Sequence, residues 1–154
     1  MRDPVTDRLL TPQNTVLIII DFQPVQIASV AAMDRRVLVH NIVAVARTAK
    51  LYGLPVVLST VNAKINQPMI QQLSDVFPKI RPIDRTTINS WEDVEFAGAV
   101  KATGRKKLIM TAIWQCRVMS FGRRAPASID NRINFVTFAK RIKRRKRQAG
   151  FGRR

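Results

Sequence analysis

The sequence is poor in the side chains that most often carry nucleophilic and metal chemistry. It has 154 residues but only one cysteine, Cys116, and one histidine, His40. A single cysteine excludes an intramolecular disulfide and a cysteine-rich zinc site. A Ser-His-Asp triad or a histidine-rich metal site would have to use His40, which falls on the polar face of a predicted helix. We therefore predict that the chain holds no metal and that His40 is exposed.

Long apolar runs are also missing. The longest, Val16–Ile20, is far too short to cross a bilayer, and the polar N-terminus lacks the apolar core of a secretory signal. These two absences predict a protein without membrane contact and with a cytoplasmic location.

Positive charge is concentrated at one end of the chain. Residues 1–114 contain 14 Lys/Arg and 9 Asp/Glu, whereas residues 115–154 contain 13 Lys/Arg and one acid, so +12 of the formal +17 lies in the last forty residues. We predict a globular domain over residues 1–114 and a separate basic tail over residues 115–154. If the protein is eukaryotic, the tail leaves a nuclear location open.

Strands and helices alternate over residues 16–112. Val16–Ile20 is an uninterrupted apolar run, typical of a strand buried on both faces of a parallel sheet. A helix over residues 36–52 follows, with an apolar stripe that runs from Leu38 to Tyr52 and with Gly53 at its end. These spacings predict an α/β fold with a doubly wound parallel sheet. The other predicted elements are a strand at 55–59, a helix at 68–73, a strand at 79–83, a helix that Ser90 caps and that ends at Gly104, and a strand at 107–112.

The pattern changes after Trp114. A doubly wound sheet would continue with further helices and strands, but one apolar stretch, Ile133–Phe138, is followed by the basic run Lys140–Arg147. Ile133–Phe138 is rich in strand-forming residues and could pair at the sheet edge; otherwise Lys107–Ala112 would itself be the edge strand. We therefore expect a C-terminally incomplete fold and a marginally stable product unless this stretch fills the gap, and we predict a truncation or a shift of reading frame near Trp114.

Three segments stand in a recognisable order: LIIIDFQ over Leu17–Gln23, IDRTTINSWED over Ile83–Asp93, and KATGRKKLIM over Lys101–Met110. Together they resemble the isochorismatase-like cysteine hydrolase superfamily over residues 11–114. The resemblance implies a Rossmann-like, three-layer fold whose six-stranded sheet has the order 3-2-1-4-5-6. It also implies hydrolysis of a carbon–nitrogen or related bond in a small-molecule substrate, no organic cofactor and a tendency to form homo-oligomers.

The same resemblance assigns roles to individual residues. Asp21 matches the acid/base of the family, and Arg85 stands where many relatives have a lysine, so it can act only as a fixed positive charge. Trp91 would suit packing at a helix start as well as ligand contact. The predicted substrate-binding residues are Phe22, Gln23, Asn89 and Trp91.

The family nucleophile has no clear counterpart. Relatives have a cysteine at the position of Val118, after a Thr-Glu-Val segment that is missing here, and Cys116 comes two residues too early. Cys116 is therefore a poor candidate for the catalytic cysteine, and we expect little or no activity. The alternative function is that of a basic, nucleic-acid-associated or nuclear protein, because Lys140–Arg147 holds seven cations in eight residues and would attract phosphates without base specificity.

Overall fold

The computed structural model describes residues 9–31 and 33–113, together with the backbone of residues 135–137. Cys116, Val118 and the basic run Lys140–Arg147 lie outside these residues. The roles that the sequence predicts for them, and the basic tail as a whole, stay predictions.

Five parallel strands form one sheet with helices on both of its faces. The strand order is β3-β2-β1-β4-β5, which agrees with the first five positions of the order that the family resemblance implies. The elements are β1 Thr15–Ile20, α1 Pro24–Ala28, α2 Arg35–Leu51, β2 Val56–Val61, α3 Ala63–Asn66, α4 Gln71–Val76, β3 Ile83–Arg85, a 3₁₀ turn Ser90–Glu92, α5 Val94–Ala102, β4 Lys107–Ala112 and β5 Phe135–Thr137.

The central strand β1 explains why the fold has two cores. Every residue of β1 is buried, and successive side chains point to opposite faces of the sheet. Leu17 and Ile19 face α2 and α4 in one apolar layer, whereas Val16, Ile18 and Ile20 face α5 in the other. A strand covered on both faces needs apolar residues at every position, as the unbroken run predicts.

The register brings the carboxyl ends of the strands to one edge. Ile20 at the end of β1 lies opposite Ser59 of β2 and Ala112 of β4, and Val61 of β2 lies opposite Arg85 of β3. The residues that follow these strands are therefore neighbours, although they are far apart along the chain.

The pairing of β4 shows whether this strand lies at the edge of the sheet. Residues Phe135–Thr137 pair in parallel with β4, with Leu108 opposite Phe135 and Met110 opposite Thr137. The alternative in which Lys107–Ala112 forms the sheet edge is therefore wrong. The backbone groups of β4 are paired on both sides instead of being left open to another chain.

Two predicted elements are displaced along the chain. The strand predicted at 79–83 is observed at Ile83–Arg85, because Pro82 has no N–H to contribute to a strand ladder. The helix predicted at 68–73 begins only at Gln71, because the N–H of Ile70 donates to the carbonyl of Phe22 (3.0 Å) and holds the preceding residues in the loop.

The ends of two helices also differ from the prediction. Ser90 does not cap α5; it is buried in the 3₁₀ turn, and the Asp93 side chain accepts from the N–H of Phe96 (2.9 Å) as the cap. Helix α2 ends at Leu51, and Tyr52 is 61% exposed instead of belonging to the apolar stripe. The chain turns there through Gly53, whose φ of +63° favours glycine.

The expectation that His40 is exposed agrees with the structure, in which His40 lies exposed on α2. Within residues 9–31 and 33–113, each helix is too short or too polar to span a bilayer.

Two leucines provide a matched test of the core between α2 and α4. Leu73 is fully buried in this core, whereas Leu51 is 83% exposed at the end of α2. We expect Leu73→Ala to lower the free energy of unfolding by about 2–5 kcal/mol through lost burial and a cavity. Leu51→Ala should change it by less than about 0.5 kcal/mol. Urea unfolding of both variants measures this, and equal effects would contradict the assigned packing.

Candidate active site at the carboxyl edge of the sheet

A buried ion pair joins two residues that the sequence places 64 positions apart. Asp21 follows β1 and Arg85 ends β3, and a 2.5 Å contact connects Arg85 Nη2 to Asp21 Oδ2. Asp21 is 4% exposed and Arg85 1% exposed. It is the one ion pair found among the described residues. The structure therefore brings the two predicted catalytic residues together.

The guanidinium of Arg85 is held on several sides. Its Nε donates to Ser59 Oγ (3.1 Å), and its Nη1 donates to the carbonyls of Thr87 and Ile88. These bonds, together with the contact to Asp21, satisfy most of its donors inside the protein. Arg85 therefore acts as a fixed counter-ion of Asp21 and has little capacity left to bind a ligand.

Asp21 adopts an uncommon backbone conformation. Its φ is +60°, in the left-handed region that costs a non-glycine residue energy. Its N–H donates to the carbonyl of Ser59 (2.9 Å), and its own carbonyl accepts from the N–H of Gln23 (2.8 Å). The carboxylate contacts Arg85 through Oδ2, whereas Oδ1 is buried and accepts no hydrogen bond from any described residue.

Burial has the largest influence on the pKa of the Asp21 carboxyl. Removal from water raises the pKa of the Asp21 carboxyl above its ordinary value of 3.8. The charge and the hydrogen bond of Arg85 oppose the rise, and the nearby charge of Asp84 adds to it. A carboxyl whose pKa is raised exchanges a proton closer to neutral pH, which suits acid–base chemistry.

Gln23 is predicted to bind substrate, but its side chain bonds to the backbone of another part of the protein. It is fully buried, its Oε1 accepts from the N–H of Val61 (2.9 Å), and its Nε2 donates to the carbonyls of Val61 and Gln67 (3.3 and 2.6 Å). Because these bonds occupy the side-chain amide, Gln23 supports the loop after β2 and is not open to substrate.

Phe22 lines an apolar cavity of about 380 Å³ between the sheet and α2. Thr111 of β4 lies on its wall, and its hydroxyl donates to the carbonyl of Ile18 (3.1 Å). Met33 and Asn41 contribute from the segment before α2 and from α2 itself. Phe22, one of the four predicted substrate-binding residues, therefore borders a cavity.

Asn89 and Trp91 serve the turn before α5. Asn89 Oδ1 accepts from the N–H of Trp91 (3.2 Å), and Asn89 Nδ2 donates to Glu92 Oε1 (3.2 Å). Trp91 is buried and packs edge to face on Phe96, with ring centroids 5.4 Å apart. Their contacts are those of a capped turn packed on the core.

Ser59 is a site residue that the sequence reasoning missed. Its carbonyl accepts from Asp21 and its hydroxyl accepts from Arg85, so one buried residue fixes both members of the ion pair. A signal was present, because Ser59 is a polar residue at the carboxyl end of a predicted buried strand.

The Asp21–Arg85 pair lies within a segment that matches a known domain family. The sequence model of the isochorismatase domain matches residues 15–116, which include both residues of the pair. The chain belongs to the isochorismatase family. The family resemblance and the α/β fold predicted from the sequence are thereby confirmed.

Several members of the isochorismatase family are similar to this chain. The probable hydrolase YcaC of Escherichia coli (strain K12) is 30% identical over 106 residues, which cover 68% of this chain and 51% of YcaC. A crystal structure of the E. coli YcaC gene product, described as an octameric hydrolase of unknown specificity, has a TM-score of 0.65 at 30% identity and covers 68% of this chain and 52% of that one. YcaC from Pseudomonas aeruginosa, solved with hexane-2,5-diol and covalent acrylamide, has a TM-score of 0.66 at 30% identity, with 69% and 54% covered.

The chain spans about half the length of these relatives. An isochorismatase from Pseudomonas putida, 17% identical with a TM-score of 0.61, covers 74% of this chain and 63% of its own and agrees in fold. The similarity therefore establishes the family and the fold of this chain.

The raised pKa of Asp21 predicts a pH dependence of stability. A carboxyl that binds its proton more tightly when folded stabilises the fold below its unfolded pKa, and this contribution is lost as pH rises through the folded pKa. We therefore expect the wild type to lose stability relative to Asp21→Asn as the pH rises above about 4. The difference should level off once the pH is above the folded pKa of Asp21.

Urea unfolding of both proteins over this pH range measures that difference. Direct titration of the Asp21 carboxyl by ¹³C NMR, with Asp21→Asn to assign its signal, locates the folded pKa. A difference that moves in favour of the wild type with rising pH would mean that the charge of Arg85 outweighs burial.

Proposed function

We propose that this chain hydrolyses a carbon–nitrogen or related bond in a small, uncharged molecule, with Asp21 as the acid/base. The observation that carries the proposal is the state of the Asp21 carboxylate. One oxygen is fixed by Arg85, and the other is buried and accepts no hydrogen bond from the described residues. Such an oxygen is suited to accept a proton from a reacting group that enters the site.

The reaction needs one proton acceptor that later becomes a donor. Asp21 takes a proton from a water molecule as the water oxygen attacks the electrophilic carbon. Asp21 then returns the proton to the leaving nitrogen as the carbon–nitrogen bond breaks. Arg85 remains protonated throughout and keeps Oδ2 in place, so the carboxylate presents the same oxygen to each reactant.

The bonds of Arg85 support an uncharged substrate. Because its donors are used by Asp21, Ser59, Thr87 and Ile88, the guanidinium has little capacity left for a substrate carboxylate. The cavity beside Phe22 begins at the residue next to Asp21, and its volume of about 380 Å³ lies within the usual range of small-molecule sites.

Cys116 is not the nucleophile in this scheme. It precedes by two residues the position that the family resemblance gives to the catalytic cysteine, and the Thr-Glu-Val segment before that position is missing. A water molecule is a weaker nucleophile than a thiolate, so we expect low turnover.

We also propose that the chain self-associates. The support is the E. coli YcaC structure, which is described as octameric. The relative covers 68% of this chain at 30% identity, so the shared part is large enough to include an interface.

A screen of small amides and carbamates, read by ammonia or amine release, tests the hydrolytic function. We expect Asp21→Asn to lower kcat by about 10²–10⁴-fold, the usual contribution of a positioned acid/base. Cys116→Ser should leave kcat within about threefold, because no covalent step is involved. The matched control is Asp75→Asn, since Asp75 is an exposed aspartate on α4.

Three results would overturn the proposal. The first is the absence of turnover with every compound of the screen. The second is equal turnover in Asp21→Asn and Asp75→Asn. The third is a loss in Cys116→Ser as large as that in Asp21→Asn, which would establish a cysteine mechanism.

A further inference from the structure

A basic groove runs along the surface between α2 and α4. It consists of two adjoining hollows of about 490 and 290 Å³ that share Val43, Arg47 and Gln72. Val39 and Val43 form an apolar floor, while Arg36 and Arg47 stand on the walls. We refer to this surface as the basic groove.

The lining of the basic groove has four basic side chains, Arg35, Arg36, Arg47 and Lys50, and one acidic side chain, Asp75. Helix α2 has no Asp or Glu among its 17 residues, and within the described residues Arg36 and Arg47 take part in no ion pair. Asp75 lines the same hollow as Arg47 and Lys50, and its Oδ1 accepts from Gln71 Nε2 (2.8 Å). The groove therefore combines apolar surface with an excess of positive charge, a combination that fits an acidic segment with an apolar centre.

The opposite face of the molecule carries such a segment. Glu92, Val94 and Glu95 lie at the start of α5, and all three are exposed. Val94 is 87% exposed. Neither carboxylate forms an ion pair within the described residues; Glu92 accepts a hydrogen bond only from Asn89. We refer to these three residues as the acidic knob.

We propose that the acidic knob of one copy docks into the basic groove of a second copy. Val94 would cover the floor at Val39 and Val43, and the two glutamates would approach Arg36 and Arg47. This interface rests on the self-association proposed above and is independent of the proposed hydrolysis. It brings together a groove with an excess of positive charge and an exposed acidic segment.

The position of the two surfaces determines the type of assembly. Helices α2 and α4 cover one face of the sheet and α5 covers the other, so knob and groove lie on opposite sides of one molecule. The contact is therefore head to tail, and each added copy exposes a further knob and a further groove until a ring closes.

The interface should be salt-sensitive and of moderate strength. The groove has about ten lining residues, fewer than the roughly 20–30 residues on each side of a standard stable interface. Exposed ion pairs change affinity by about two- to fivefold each and weaken as salt rises. We expect assembly that depends on concentration and declines from low to high salt.

Two variants of the full chain test the docking by sedimentation velocity. The groove variant is Arg36→Glu with Arg47→Glu, and the knob variant is Glu92→Gln with Val94→Asn and Glu95→Gln. Each variant alone should be monomeric at protein concentrations at which the wild type assembles. Mixed in equal amounts, they should form a two-chain complex and nothing larger, because one intact knob meets one intact groove. Lys79→Glu with Arg81→Glu is the control of equal charge change, since both residues are exposed and outside the groove.

Circular dichroism and thermal unfolding confirm that each variant is folded before it is compared. The docking is overturned if both variants assemble as the wild type does, or if the mixture stays monomeric. Loss of assembly in the knob variant but not in the groove variant would also overturn it, and would assign the knob to another basic segment such as Lys140–Arg147. A wild type that is monomeric at every concentration overturns self-association itself and leaves the hydrolysis proposal unaffected.

Discussion

The buried contact between Asp21 and Arg85 is the constraint around which the carboxyl edge of this sheet is organised. Two charges removed from water are stable only if they are paired and their remaining polar groups are bonded. Arg85 meets that requirement through Ser59 and the two carbonyls after β3, which are therefore fixed along with it. The ion pair thus joins the ends of β1, β2 and β3 into one rigid unit.

Asp21 is the incompletely satisfied member of this unit. Its left-handed backbone and its unbonded Oδ1 both cost free energy, and neither improves packing. Unfavourable local features of this kind cluster at functional sites, because a reacting group must be left unsatisfied by the protein. The neighbouring loop shows the opposite arrangement, since Gln23 uses its whole amide to hold the backbone of Val61 and Gln67.

The exposed charges of the protein are arranged separately from the buried ion pair. Charged residues of the described part are distributed so that one face is basic around α2 and the start of α5 is acidic. A buried pair is strongly coupled over a short distance, whereas exposed charges act weakly and over several ångströms. The proposed chemistry depends on the buried pair, whereas the proposed docking depends on exposed charges and on the exposed Val94.

The sequence by itself determined the parallel sheet, because β1 is an apolar run that must be buried on both faces and because strands alternate with helices along the chain. Through the family resemblance it also named Asp21 and Arg85 as site residues, but the contact between them is a property of the folded sheet. Only the tertiary structure decided what their neighbours do. Gln23 was predicted to face substrate but bonds to a loop 38 and 44 residues away, and Ser59 gained its role from two partners distant in sequence. Periodicity reports which side of an element is buried, but hydrogen bonds between distant loops depend on distances that exist only after folding.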